Sequence, residues 1–123
     1  MALSCIAHQI AERNSDLSRL AIVGIQRRGA HLATRLVAML ARVAGRDVSV
    51  GFLDVTMHRD DLDQKAAPRI HPTSIPFDIS GKVVVLVDDV LCSGRTTRAA
   101  MDALNDFGRP RAIQLAVLRS EEH

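Results

Sequence analysis

The chain has 123 residues and a mass of 13.4 kDa, is 47% hydrophobic and 24% charged, and carries a net charge of +2. That is the size of one domain around one core, and the composition excludes a disordered or low-complexity chain. Its longest apolar runs, Val83–Val87 and Leu36–Ala41, are far short of the roughly 20 residues that span a bilayer.

Leu3, Ile6, Ala7 and Ile10 fall at helical spacing and predict a short amphipathic helix at the start. Leu20–Ile25 (LAIVGI) is a nearly continuous apolar run of the kind a buried parallel strand carries. Leu32, Ala33, Leu36, Val37, Leu40 and Val43 return to helical spacing, with Gly45 as the stop. Val48–Val55 reads as a second strand, and Lys82–Asp88 (KVVVLVD) as the strongest one. Ala100, Ala103, Leu104 and Phe107 mark a further helix, stopped by Gly108 and Pro110, and Ala112–Leu118 is a last strand. Strands alternating with helices predict an α/β fold, a parallel sheet flanked by helices, over a single domain 1–123.

Between Thr56 and Gly81 the periodicity lapses, and Pro68, Pro72 and Pro76 recur. So long a connection suits an active-site lid or a solvated excursion. His58 and His71 lie near Asp60, Asp61 and Asp63 but lack metal-ligand spacing, so no dedicated metal site is expected. Cys5 and Cys92 make neither a disulfide framework nor a zinc site. Residues 1–12 show no basic leader before a long apolar run, so a cytoplasmic protein with no membrane partner is expected. All basic residues except Lys65 and Lys82 are arginine. That preference suits phosphate ligands, and a GC-rich coding bias produces it equally well.

The informative segment is VVVLVDDVLCSGRTTRAAMDAL, from Val83 to Leu104. An apolar strand runs into two acids, Asp88 and Asp89, and then into a small-polar loop that opens a helix. Ligands of open α/β sheets bind beyond the carboxyl ends of the strands, where these acids emerge. Backbone N–H groups at a helix start, with Ser and Thr hydroxyls beside them, suit a phosphate. The loop has no lysine and is no Walker A motif. A phosphate cradle beside two carboxylates suits a ligand with one phosphate and a neighbouring diol.

This segment resembles the phosphoribosyl-diphosphate (PRPP) signature of type I phosphoribosyltransferases. More narrowly, the chain resembles the family of bifunctional pyrimidine-operon regulators and uracil phosphoribosyltransferases. The stretches that carry the likeness are IAHQIAERN at 6–14, IVGIQRRGAHLATRL at 22–36, DVTMHRDDL at 54–62, IPFDISGKVVVLVDDVL at 75–91 and GRTTRAAMDALNDFGRPRAIQLAVL at 94–118. The resemblance implies the type I phosphoribosyltransferase fold with a flexible hood, roughly 54–80. It implies transfer of the ribosyl 5-phosphate of PRPP to uracil, giving UMP and diphosphate, with Mg²⁺ held through PRPP.

In that family pattern Asp88 and Asp89 hold the ribose hydroxyls, and Val90, Leu91, Cys92, Ser93, Gly94, Arg95, Thr96 and Thr97 form the 5-phosphate loop. Arg27, Arg28 and Gly29 match the diphosphate loop, and Arg59 is the hood's diphosphate contact. Asp88, Asp89 and Arg59 are the expected catalytic residues. The alternative role is a UMP-responsive regulator that binds leader mRNA of a pyrimidine operon, with His8 and Arg13 as weak RNA contacts. A homo-oligomer is expected.

Three positions depart from the pattern. Cys5 stands where the family generally has arginine, and Cys92 and Ser93 replace tyrosine and threonine. The family also continues past its LAVL strand into a basic V-D-R-G-H-R-E-L-P stretch, where this chain has Leu118-Arg119-Ser120-Glu121-Glu122-His123. That stretch carries the uracil-recognising loop and basic RNA contacts. The expectation is a fragment, a degenerate PRPP-binding relic or a chain whose missing wall a partner supplies, with an open sheet edge and weakened activity toward uracil and RNA on its own.

Overall fold

The computed structural model describes residues 2–14, 16–26, 28–55, 73–89 and 94–118, and only the backbone at 2–3, 89, 94–96 and 117–118. Four parallel strands, β1 (Leu20–Ile25), β2 (Ser49–Leu53), β3 (Val83–Asp89) and β4 (Ala112–Leu118), form one sheet in the order β2-β1-β3-β4. Helices α1 (Ala2–Arg13) and α2 (Arg28–Ala44) cover one face, and α3 (Gly94–Leu104) covers the other. The parallel α/β expectation holds.

Each strand divides its side chains between two cores by the period of two. Leu20 and Ile22 of β1 and Val85 and Val87 of β3 join Ala7 and Ile10 of α1 and Ala33, Leu36 and Leu40 of α2. Ala21, Val23 and Ile25, with Val84 and Leu86, join Ala99, Ala100, Ala103 and Leu104 of α3. All six residues of β1 are buried, as an inner parallel strand covered on both faces requires. A cavity of about 210 Å³ remains between α1 and β4, lined by Ile6, Ile10, Arg13, Val85, Gln114 and Ala116 among others.

The element ends differ from the periodicity in informative ways. α2 starts at Arg28, a turn before its first apolar marker Leu32, and ends at Gly45, whose φ of 71° and N–H bond to Ala41 close the helix. α3 ends at Leu104. Asn105, Asp106 and Phe107 then donate to carbonyls three residues back, a tighter turn that leaves Phe107 38% exposed. β2 is shorter than the apolar run 48–55, although Val48 and Val55 at its flanks are also buried.

Of the hood range 54–80, Thr56–Pro72 lies outside the described residues. The part that follows is packed down. Ser74 and Phe52 exchange backbone hydrogen bonds of 2.8 Å in an antiparallel bridge, and Thr73 Oγ1 accepts from the Asp54 N–H at 2.9 Å. Ile75 and Phe77 lean on the α3-side core, and Ile79 is fully buried in it. Within 73–80 the alternate apolar residues Ile75, Phe77 and Ile79 thus add to the core, while the residues between them are exposed. Replacing Ile79 with Ala is expected to cost about 2–5 kcal/mol, the range of buried aliphatic truncations. Chemical denaturation checks this, and a loss under about 0.5 kcal/mol would show that the segment is not packed.

Candidate functional site

The two inner strands end side by side, with Gly24 of β1 the register partner of Val87 of β3. Parallel strands put every following helix start at the same edge of the sheet. α2 opens there on one face and α3 on the other. Neither helix has an acidic residue in its first turn, so two positive dipole ends face the same edge.

Asp88 stands between them. It is 9% exposed and, among the described residues, is the one charged side chain that is buried. It shares the parity of Val84 and Leu86, the α3 side of the sheet. Burying a carboxylate is costly without partners, and Asp88 is engaged in an interaction of its own. The backbone of Asp89 extends β3 by one residue, opposite Leu118 of β4.

On the other side of the edge, the buried Gly29 brings the first turn of α2 against the end of β3. A Cβ built on Gly29 would lie 2.2 Å from the Val87 carbonyl oxygen and 3.3 Å from the Asp88 Cα. Arg28, just before it, is exposed and engaged in an interaction. Both residues were expected in a loop before the helix. They form its first turn instead, because Gly29 has no side chain to keep that turn off the strand ends.

Gly94, Arg95 and Thr96 form the first turn of α3 in backbone terms, and Thr97 is half-buried and engaged. Arg27, Arg59 and Val90, Leu91, Cys92 and Ser93 lie outside the described residues. His8 and Arg13 are exposed on α1, and Cys5 is an exposed free thiol on the same helix. The residues brought together are thus Asp88, Arg28, Gly29 and the start of α3.

Two carboxyls elsewhere sit below the usual range. Ser18 holds Asp16 down through its hydroxyl and amide, and the Ser80 amide, donating at 2.9 Å, does so for Asp78. Both precede strands and so belong to the opposite edge of the sheet, where they brace turns. Among the described residues, no three His, Cys, Asp or Glu side chains gather as a metal site. No described helix is long and apolar enough to cross a membrane.

Sequence reasoning missed Gly24. A Cβ there would lie 2.3 Å from the Gly29 carbonyl oxygen. The signal was a lone glycine inside the apolar run LAIVGI, which marks close backbone approach.

The sequence matches the phosphoribosyl transferase domain model over residues 2–122. It is 58% identical over 123 residues to the bifunctional protein PyrR of Roseiflexus sp., covering 99% of this chain and 67% of that protein. It is 53% identical to the bifunctional protein PyrR of Pelotomaculum thermopropionicum, covering 99% of this chain and 68% of the relative. Among solved structures, hypoxanthine-guanine phosphoribosyl transferase of L. donovani superimposes with a TM-score of 0.72 at 18% identity, over 95% of this chain and 65% of that one. Purine phosphoribosyltransferase of Pyrococcus horikoshii does so with a TM-score of 0.66 at 22% identity, over 98% of this chain and 81% of that one. These likenesses confirm the type I phosphoribosyltransferase fold expected from the signature. The chain belongs to the phosphoribosyl transferase domain family and, within it, to the bifunctional PyrR proteins.

Proposed function

We propose that the chain binds PRPP at the common edge of β1 and β3 and transfers its ribosyl 5-phosphate to uracil, releasing diphosphate. The observation that carries this reading is the buried Asp88 between the first turns of α2 and α3. Two separated anion sites with a carboxylate between them match a ligand with a phosphate at each end and hydroxyls in the middle. The α2 end, with Arg27 and Arg28 and with Arg59 from the hood, takes the diphosphate. The α3 end, with the 90–97 loop, takes the 5-phosphate. Asp88 and Asp89 accept from the ribose hydroxyls.

Mg²⁺ suits this donor set, since it prefers oxygen ligands and is commonly held by one or two carboxylates together with substrate phosphates. When bound, it neutralises charge on the departing diphosphate. In the reaction the uracil nitrogen forms a bond to the anomeric carbon as that carbon's bond to diphosphate oxygen breaks, and the nitrogen loses its proton. The ribosyl group becomes cation-like on the way, so a carboxylate beside it stabilises the transition state more than the ground state. The helix N-termini and arginines fix both phosphate ends and supply most of the positioning. A hood over the site excludes the water that would otherwise hydrolyse PRPP.

Calorimetric titration of PRPP in Mg²⁺ buffer is expected to show binding. Replacing Asp88 and Asp89 together with Asn is expected to weaken it by about tenfold to a hundredfold, the value of one or two charge-assisted hydrogen bonds. No binding by the unmodified chain, or equal binding by both proteins, overturns the reading.

The acceptor is tested separately, because this chain spans 67% of the Roseiflexus relative. Conversion of radiolabelled uracil by the 123-residue chain is expected to be much slower than by that longer protein. Comparable turnover would show that the residues here suffice for uracil.

The likeness to bifunctional proteins and the exposed His8 and Arg13 favour a second role, UMP-responsive binding of leader mRNA. Cys5 offers no cation on the same helix, and Ser120-Glu121-Glu122 adds negative charge where the family pattern is basic. Each phosphate contact forgone flattens the log–log salt dependence by about one unit. Gel shifts with a pyrimidine-operon leader hairpin, with UMP present and over a salt series, are expected to show weak binding with a shallow slope. Tight binding with a steep slope would make regulation the better description.

A further inference from the structure

Among the described residues, positive φ values belong to Gly45, Gly81 and Gly108, so Gly24 and Gly29 have backbone angles that any residue adopts. Space is what singles them out. A Cβ on Gly24 would lie 2.3 Å from the Gly29 oxygen, 2.7 Å from the Gly29 carbonyl carbon and 2.8 Å from the Ala30 Cα. A Cβ on Gly29 would in turn lie 2.2 Å from the Val87 oxygen. Gly24 and Val87 are register partners, so the first turn of α2 sits across the β1–β3 pair at its last step before Asp88. Every clashing atom is backbone, and none can swing away as a side-chain tip does.

We infer that Gly24 is a positioning residue for the diphosphate half of the site. Having no Cβ, it lets the first turn of α2 seat on the strand pair and so fixes Arg28 and the backbone of that turn relative to Asp88. This rests on the phosphoribosyltransferase reading. A methyl group at Gly24 must push that turn outward by roughly 1 Å to restore ordinary contact. The displacement acts on one end of the ligand only. α3 packs on the opposite face through Ala99, Ala100, Ala103 and Leu104, against residues of the other parity.

The test compares PRPP with UMP, which share the 5-phosphate and ribose but differ in the diphosphate, and adds pyrophosphate as the diphosphate alone. In Gly24→Ala, affinity for PRPP and for Mg²⁺-pyrophosphate is expected to fall about 100-fold, while UMP affinity changes by less than about threefold. Leu40→Ala, in the same helix but remote from its first turn, serves as the destabilised control and is expected to keep both affinities. Unchanged pyrophosphate binding in Gly24→Ala, or equal loss of pyrophosphate and UMP, overturns the inference while leaving the proposed function intact. Failure of the unmodified chain to bind PRPP, pyrophosphate and UMP overturns both. Should Gly24→Ala not fold, hydrogen exchange on the unmodified chain decides. Pyrophosphate is expected to protect the amides of residues 28–30 together with those of 87–88, and UMP to leave 28–30 unprotected. Protection of 28–30 alone under pyrophosphate refutes the coupling.

Discussion

Everything in this molecule hangs on the pairing of β1 with β3. Five register pairs run from Leu20 with Val83 to Gly24 with Val87, and every side chain in those pairs is apolar. Such a pair is stable only if helices cover both faces, because each buried aliphatic side chain contributes about 1.5–3 kcal/mol and loses it if left in water. The chain meets that condition by sending α1 and α2 to one face and α3 to the other. Parallel pairing then leaves no choice about where the helices begin. α2 and α3 must each start beyond the carboxyl edge of the sheet, so the requirement for burial also brings two helix N-termini to one edge.

At that edge the apolar run stops at Val87, and the next residue is a carboxylate that remains buried. Asp88 shares the face of Val84 and Leu86, and the coverage of that face extends far enough along β3 to keep Asp88 from full hydration. A carboxylate in such a place has strengthened interactions with whatever positive charge approaches it, because the surroundings screen less than water does. The helix starts on either side contribute that positive potential without acidic neighbours to cancel it. The electrostatics of the site therefore follow from the covering of the sheet rather than from a separately built pocket.

The features legible in the sequence were those with a period. The strand 20–25, the valine run after Lys82 and the stripe Ala33, Leu36, Leu40 all carry a signal because burial repeats at every second residue or every third and fourth. The acid pair was legible because it breaks an apolar run abruptly. Helix ends were less so. Arg28 and Gly29 read as loop since neither is apolar, and only the clearance above Val87 shows why a helix starts there. Phe107 read as a core position at helical spacing, yet the tightened turn after Leu104 takes it off the stripe. Residues 73–80 read as hood because Pro76 and four polar residues outnumber the three apolar ones. Their packing depends on a bridge to Phe52, some twenty residues back, and a non-local bond of that kind leaves no local trace.

The same sheet carries transferases for different bases. The hypoxanthine-guanine and purine phosphoribosyl transferases share this fold at 18% and 22% identity, whereas PyrR relatives share it at 53–58%. A fold retained across such divergence cannot itself choose the base. What these chains have in common is the fold, a parallel sheet with helices on its faces. Choice of the base has to come from residues that the shared sheet does not dictate. Among the described residues, β4 forms the sheet's free margin and Leu115 on it is 49% exposed. An apolar residue on an unpaired strand is a surface that further polypeptide covers readily, by pairing with β4 or by packing on Leu115. Placed there, added chain would lie beside Leu118, the register partner of Asp89. A strand edge thus offers a place where polypeptide outside the sheet can reach the carboxyl end of β3 while the β1–β3 pair stays undisturbed.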